Sequence, residues 1–276
     1  MPRTTKISWA RIMAPLSGGK GDAAVLAAAA ELARPFGAEV SGVYAPADVA
    51  DLMPWMGEGF MGGVQISAVE SLKEAASVGE ANARAAVAAC PATDKDFTTL
   101  DSPIWASLAV ESRLSDVVVF DNEAARGKGP LAEAFQQLVA NEQRPTVIAR
   151  PGLNAEGVMA VAWDGGKEAT RATRTAMPLL EKASRVVILG APAASSRDFA
   201  SHRLQDFLAV RGIQADVEII KDSGDAAAIL LGAARSLGAS LLVSGAFGHA
   251  RLREFIFGGT TRSLLQADSP SLFLSH

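Results

Sequence analysis

The chain has 276 residues, of which 49% are hydrophobic and 20% are charged, and its formal net charge is −4. This composition excludes a disordered chain, and the dispersed basic residues form no positive stripe that could follow a nucleic-acid backbone. The amino terminus lacks a signal-peptide core, and no later run approaches about 20 apolar residues. We therefore predict a cytoplasmic protein that binds neither nucleic acid nor membrane.

The first part of the chain alternates short apolar runs with alanine-rich segments, which is typical of α/β domains. Asp22 is expected to cap a helix that continues to about Phe36, and Ser102 with Pro103 has the chemistry of another helix start. The predicted strands of this part are residues 12–16, 39–43, 116–120 and 145–149.

A glycine-rich segment, residues 51–63, precedes a long predicted helix at about 67–89. Its Trp55 and Phe60 need burial, so a lid folded onto its own domain is favoured over a partner-binding surface, and ligand gating stays a guess. The single cysteine, Cys90, excludes an internal disulfide. Packing of this small residue at a helix end is favoured over redox sensing, because no cationic partner for a thiolate is evident.

Residues 151–157 are the predicted linker, which divides the chain into domains at 1–150 and 151–276. The second part again alternates apolar runs with helical segments, and its first strand ends in Asp164. Its predicted strands are residues 159–164, 186–189, 216–220, 241–243 and 271–274.

A spaced set of small residues follows the predicted strand at 241–243. Glycines at the carboxyl end of a parallel strand let main-chain N–H groups approach a phosphate, and the N-terminus of the next helix favours negative charge. Scattered glycines after a strand are also common in α/β proteins without any ligand. The set comprises Gly245, Gly248, Gly258, Gly259, Thr260 and Thr261.

The pattern Gly-x2-Gly-x9-Gly followed by small hydroxylated residues resembles the ATP-binding signature of the universal stress protein family. This resemblance implies that Asp164 binds the nucleoside and that the set from Gly245 to Thr261 binds the phosphates of ATP, with Mg²⁺ as an optional companion ion. From its position alone, Asp164 could instead cap a helix. Gly259 departs from the family pattern, because ATP-binding members commonly have serine or threonine there, whereas Thr261 matches the second hydroxyl position.

An internal repeat extends the resemblance over nearly the whole chain. Residues 17–20, Ser-Gly-Gly-Lys, correspond to residues 164–167, Asp-Gly-Gly-Lys. The first half has Asp121 where the second has Gly245, and a carboxylate there would repel a triphosphate. We therefore expect no ATP in the first half, and we interpret Arg126 and Lys128 as an exposed basic turn.

No catalytic group or metal site is predicted. The three histidines, His202, His249 and His276, lack metal-ligand spacing, and no nucleophile is paired with a base. His276 is interpreted merely as the chain end. Several residues could reach phosphates or simply face water: His249, Arg251, Arg253 and Arg262.

The resemblance implies two tandem Rossmann-like domains of the adenine nucleotide alpha hydrolase-like fold, each a five-stranded parallel sheet with helices on both faces. It also implies an intrachain pseudo-dimer through the last strands and leaves a homodimer open. A stress-response protein that acts as an ATP-dependent binding protein or switch is the preferred function. A weak ATPase and an interaction scaffold that binds no nucleotide are the alternatives.

Overall fold

The computed structural model describes residues 8–46, 63–100, 104–190, 200–220, 224–246 and 259–276. Ten strands in this part form one sheet, in the order β3-β2-β1-β4-β5-β10-β9-β6-β7-β8. The first half supplies β1 (Arg11–Leu16), β2 (Glu39–Tyr44), β3 (Lys95–Thr99), β4 (Val117–Phe120) and β5 (Thr146–Ile148). The second half supplies β6 (Val158–Trp163), β7 (Arg185–Gly190), β8 (Ala215–Ile219), β9 (Leu241–Gly245) and β10 (Ser271–Ser275).

Helices connect the strands and cover the sheet. Those of the first half are α1 (Asp22–Ala33), α2 (Gly63–Ala89), α3 (Ile104–Ser112), α4 (Asn122–Ala125) and α5 (Ala132–Ala140). Those of the second half are α6 (Lys167–Thr175), α7 (Met177–Leu180), α8 (Ser201–Ala209), α9 (Ala226–Ser236) and α10 (Gly259–Gln266). No helix within the described residues is long and apolar enough to cross a membrane.

Each half is a parallel sheet of five strands with the same internal order, β3-β2-β1-β4-β5 in the first and β8-β7-β6-β9-β10 in the second. The α/β fold predicted from the alternating pattern is confirmed. The two sheets join edge to edge, because β5 and β10 pair antiparallel through Val147 and Phe273 and their neighbours. The central strands are buried on both faces, which explains their nearly continuous apolar sequences.

Apolar side chains from both halves pack together on each face of the sheet. On one face, Trp9 lies between Phe36, with ring centroids 5.3 Å apart, and Phe273 of the second half, at 6.3 Å. On the other face, Phe120 meets Phe135 edge to face, and residues of β9, β10 and α10 continue the same cluster. The halves therefore share their hydrophobic cores as well as a strand ladder.

Two local predictions were wrong. The predicted cap of the first helix, Asp22, is already the first residue of α1, and Gly21 occupies the N-cap position. That helix ends at Ala33, before the predicted Phe36. Residues 51–62 and the predicted helix start at residues 102 and 103 lie outside the described part of the chain. Cys90 is a free, buried thiol whose Sγ lies 3.6 Å from the Leu26 carbonyl oxygen.

Candidate functional site

The centre of the second half contains the point at which the strand order reverses. Strand β6 lies between β7 and β9, so the chain leaves β6 toward β7 on one side and later returns to β9 on the other. The connections that follow β6 and β9 consequently diverge to opposite faces. In open α/β sheets this leaves a crevice at the carboxyl ends of the two strands, where ligands bind. Asp164 directly follows β6, and Gly245 is the last residue of β9.

Asp164 is exposed at this edge and takes part in a tight turn. Its Oδ1 accepts a hydrogen bond from the Gly166 N–H at 2.8 Å, and Gly165 between them has φ +76°. A carboxylate has about four lone-pair positions, so this single bond leaves capacity for a ligand hydroxyl or amino group. Gly166, rather than Asp164, occupies the N-cap position of α6, which removes the alternative that Asp164 is the helix cap.

The corresponding turn of the first half has the same geometry. Ser17 Oγ accepts from the Gly19 N–H at 3.2 Å, and Gly18 has φ +74°. Ser17 therefore takes the place of Asp164 in the turn, while its hydroxyl brings no negative charge to that edge of the sheet. The sequence repeat is thus a structural repeat at this loop.

Gly245 lies against the first turn of α6. A Cβ built on Gly245 would come within 2.6 Å of the Glu168 carbonyl carbon and 2.7 Å of the Ala169 nitrogen. Both are backbone atoms, so even a methyl group requires α6 or β9 to move. The glycine predicted as part of a phosphate cradle is therefore also required for the close approach of helix and strand.

Some of the remaining predicted site residues belong to the described part of the chain, and others do not. Gly248 and Gly258 lie outside the described residues. Gly259 and Thr260 are exposed in the first turn of α10, whereas Thr261 is buried on the side that carries Leu264 and Leu265. A Cβ on Gly259 would meet no atom within 4 Å, so the departure from the family pattern at this position has no steric cause in the described structure.

In the first half, a buried carboxylate occupies the loop after the central strand. Asp22 accepts from the Ser17 N–H at 2.9 Å, the Ser17 hydroxyl at 2.9 Å and the Gly18 N–H at 2.8 Å. These N–H groups are therefore bound within the protein and do not face a ligand. The corresponding position of the second half, counted from the repeat, is Ala169. Asp121, at the position of Gly245, caps α4 by accepting from the Ala124 N–H.

Sequence reasoning missed three features around these loops. Glu168 in the first turn of α6 is buried, and its Oε1 lies 3.7 Å from Lys167 Nζ. His276 is more than a chain end, because its ring is buried with Nδ1 3.0 Å from the Ala246 carbonyl oxygen. Arg126 was predicted to be exposed, but its guanidinium binds the carboxyl end of α10. Of the three residues, only Glu168 could have been singled out from the sequence, because it is an acidic residue in the first turn of a predicted helix.

The other basic candidates lie partly outside and partly inside the described chain. His249, Arg251 and Arg253 lie outside the described residues, and Arg262 and His202 are exposed. Among the described residues, no group of three or more histidines, cysteines and carboxylates is placed to hold a metal ion.

Comparisons with known proteins bear on both halves. The model of the universal stress protein family matches residues 158–272. The chain is similar in fold to a universal stress protein from Archaeoglobus fulgidus, with 15% identity, a TM-score of 0.67 and coverage of 96% of this chain and 95% of that one. It is also similar to a functionally unknown protein from Pseudomonas aeruginosa, with 13% identity, a TM-score of 0.56 and coverage of 97% and 92%. No curated protein matches the chain.

The matched segment begins at β6 and extends into β10, so it contains the crevice, Asp164 and the whole glycine and threonine set. The first half repeats the strand order of that segment. The second half of the chain therefore matches the universal stress protein family, and a first half with the same strand order precedes it.

Proposed function

We propose that the second half of this protein binds ATP and that the protein acts as a nucleotide-dependent binding protein or switch in a cytoplasmic stress response. The observation that carries the proposal is the placement of Asp164 and Gly245 at the carboxyl ends of the neighbouring strands β6 and β9. The exposed carboxylate would accept from a ribose hydroxyl or the adenine amino group.

The phosphates would lie toward the amino end of α10. Its first residues, Gly259 and Thr260, are exposed, and the free N–H groups of a helix start favour negative charge. Thr261 would supply a hydroxyl only if its buried side chain turned toward the ligand. A Mg²⁺ ion could accompany the nucleotide, because Mg²⁺ usually binds through phosphates and only one or two protein carboxylates.

The first half would support the site without binding nucleotide. Asp22 occupies the loop N–H groups, and Asp121 replaces the glycine at the end of the neighbouring strand. A division into domains at 1–150 and 151–276 is part of this proposal, because β1 to β5 come from the first segment and β6 to β10 from the second.

Calorimetric titration of nucleotide-stripped protein with ATP and Mg²⁺ tests the proposal, and we expect one site per chain. Asp164→Asn keeps an oxygen that can accept from the Gly166 N–H but removes the charge. Because hydrogen bonds to charged groups contribute about 1.5–3 kcal/mol, this variant should bind ATP about 10- to 100-fold more weakly.

The matched control is Ser17→Ala, which changes the equivalent turn of the first half. It should leave the ATP affinity unchanged. Two sites per chain, or equal losses in both variants, would contradict the assignment to the second half. Repeated turnover of bound ATP would instead indicate an ATPase, and the absence of binding in competition experiments would indicate a scaffold.

Gly259→Ser should strengthen ATP binding. The new side chain has open space around it, and its hydroxyl restores a hydrogen bond to phosphate that ATP-binding relatives commonly have. A neutral hydrogen bond contributes about 0.5–1.5 kcal/mol, so the dissociation constant should fall about 2- to 10-fold in the same titration.

Gly259→Ala is the control for this gain, because it adds the same Cβ without the hydroxyl. Its affinity should stay within about twofold of the wild type. An equal gain in both variants would assign the effect to helix propensity rather than to phosphate contact.

A further inference from the structure

Arg126 crosses from the first half to the carboxyl end of α10 in the second. Its Nη2 donates to the Gln266 carbonyl oxygen at 2.9 Å and the Ala267 carbonyl oxygen at 3.1 Å. The same nitrogen lies 2.5 Å from Asp268 Oδ1. Only 20% of its side chain is exposed, although the local sequence resembles a solvated basic turn.

Arg150, just after β5, reaches the same helix end. Its Nη2 donates to the Leu264 carbonyl oxygen at 2.8 Å, and its Nη1 donates to the Pro270 carbonyl oxygen at 2.6 Å. Its Nε donates to Asn122 Oδ1 at 2.8 Å. All of these acceptors are neutral oxygens. Burial, with a smaller contribution from the nearby Arg126 cation, lowers the pKa of Arg150 to about 10.

These contacts match the needs of a helix terminus. The last four carbonyl groups of a helix have no partner within it, and its carboxyl end carries a partial negative charge that cations stabilise. Two guanidinium groups from the first half therefore bind the end of a helix of the second half. Both groups are anchored around α4, since Arg126 directly follows that helix and Arg150 binds Asn122, its first residue.

Helix α4 stands in the first half where the glycine-rich loop stands in the second. It follows β4, as the glycine-rich loop follows β9 in the second half. The segment of the first half that corresponds to the phosphate loop thus contacts α10, whose other end carries Gly259 and Thr260. With eight residues α10 is only about 12 Å long, so a shift of its carboxyl end also moves its amino end.

We propose that Arg126 and Arg150 are positioning residues that fix α10 from the first half and thereby set the affinity of the second half for ATP. This inference rests on the proposed nucleotide site. It gives the first half a defined role: although the N–H groups of its own loop are bound by Asp22, it holds the helix at whose amino end the phosphates would lie.

The principal variant is Arg126→Gln, because this side chain is near the surface and the protein should still fold. Its matched control is Arg185→Gln, which breaks an exposed arginine–aspartate pair of 2.8 Å, with Asp216, between the outer strands β7 and β8. Three quantities are measured for each variant. Amide hydrogen exchange of residues 259–268 is followed without nucleotide. The ATP affinity is measured by calorimetric titration, and the unfolding temperature by scanning calorimetry.

We expect Arg126→Gln to speed exchange in α10 and to weaken ATP binding about 3- to 10-fold, while Arg185→Gln changes neither. Arg126→Lys, which keeps the charge but donates in fewer directions, should lie between the wild type and Arg126→Gln. Arg150→Lys removes the second guanidinium, so it should also speed exchange in α10 and weaken ATP binding.

A purely structural role for Arg126 would lower the unfolding temperature and leave the ATP affinity of the folded protein unchanged, and this result would overturn the inference. Unchanged exchange in α10 would overturn it as well. Because exchange is measured without nucleotide, it separates the two proposals: a wild-type protein that binds no ATP overturns the proposed function, whereas the exchange comparison still decides whether the first half holds α10.

Discussion

Gly245→Ala is expected to destabilise the protein by about 1–3 kcal/mol, because the added methyl group would overlap the backbone of α6. Neither contact atom belongs to a flexible side chain, so the clash cannot be relieved by a rotamer change. For a chain of this size, each kcal/mol corresponds to about 2–4 °C in the unfolding temperature. Chemical denaturation and thermal scanning measure the two quantities.

Gly259→Ala is again the matched control, since it adds the same methyl group where no atom lies within 4 Å. It should leave the unfolding temperature unchanged or raise it slightly, because alanine favours a helix over glycine. Equal stability of the two variants would show that α6 and β9 are not in the close contact described above. Displacement of α6 also shifts the turn that holds Asp164, so Gly245→Ala should weaken ATP binding in addition.

Asp22→Ala should have the largest effect on stability in the first half, about 2–4 kcal/mol. The side chain is only 3% exposed and accepts three hydrogen bonds from Ser17 and Gly18. Its removal leaves partly buried donors without their charged acceptor, which costs more than the loss of an exposed hydrogen bond. Denaturant titration gives the free energy of unfolding directly.

Two further variants test whether the buried carboxylate of Asp22 causes this loss of stability. Asp225→Ala removes an exposed aspartate that caps α9 by accepting from the Ala227 N–H at 3.1 Å, so it should cost no more than an ordinary helix cap. Asp22→Asn keeps one acceptor oxygen and should have an intermediate effect. If Asp22→Ala were no more destabilising than Asp225→Ala, the buried carboxylate would not be the group that closes the first half's loop.

Much of the fold could be predicted because parallel strands buried on both faces have unmistakable apolar runs. The strand containing Val161 and the strand containing Val243 are examples, and each ends where the sequence turns polar or glycine-rich. The repeat between residues 17–20 and 164–167 also identified a real structural equivalence, since Gly18 and Gly165 adopt nearly the same positive φ.

The contacts between the halves could not be predicted in this way. Arg126 and its acceptor Gln266 are 140 positions apart, and the local composition around Arg126 is that of a solvated turn. Only the joined sheet brings α4 beside α10. The role of Asp22 was also missed. Because α1 starts at Asp22 itself, the side chain does not cap the helix, and it accepts hydrogen bonds from the preceding loop instead.

The antiparallel pairing of β5 and β10 also determines which strand edges the molecule presents to other chains. Within the described structure the sheet ends at β3 and β8, which carry exposed charges at Lys95, Asp96, Asp216 and Glu218. Charged outer strands resist the addition of a further strand, whereas the two short apolar strands that would accept one are already paired with each other. The pairing thus places two short apolar border strands in the interior of one joined sheet, where neither is open to a strand from another chain.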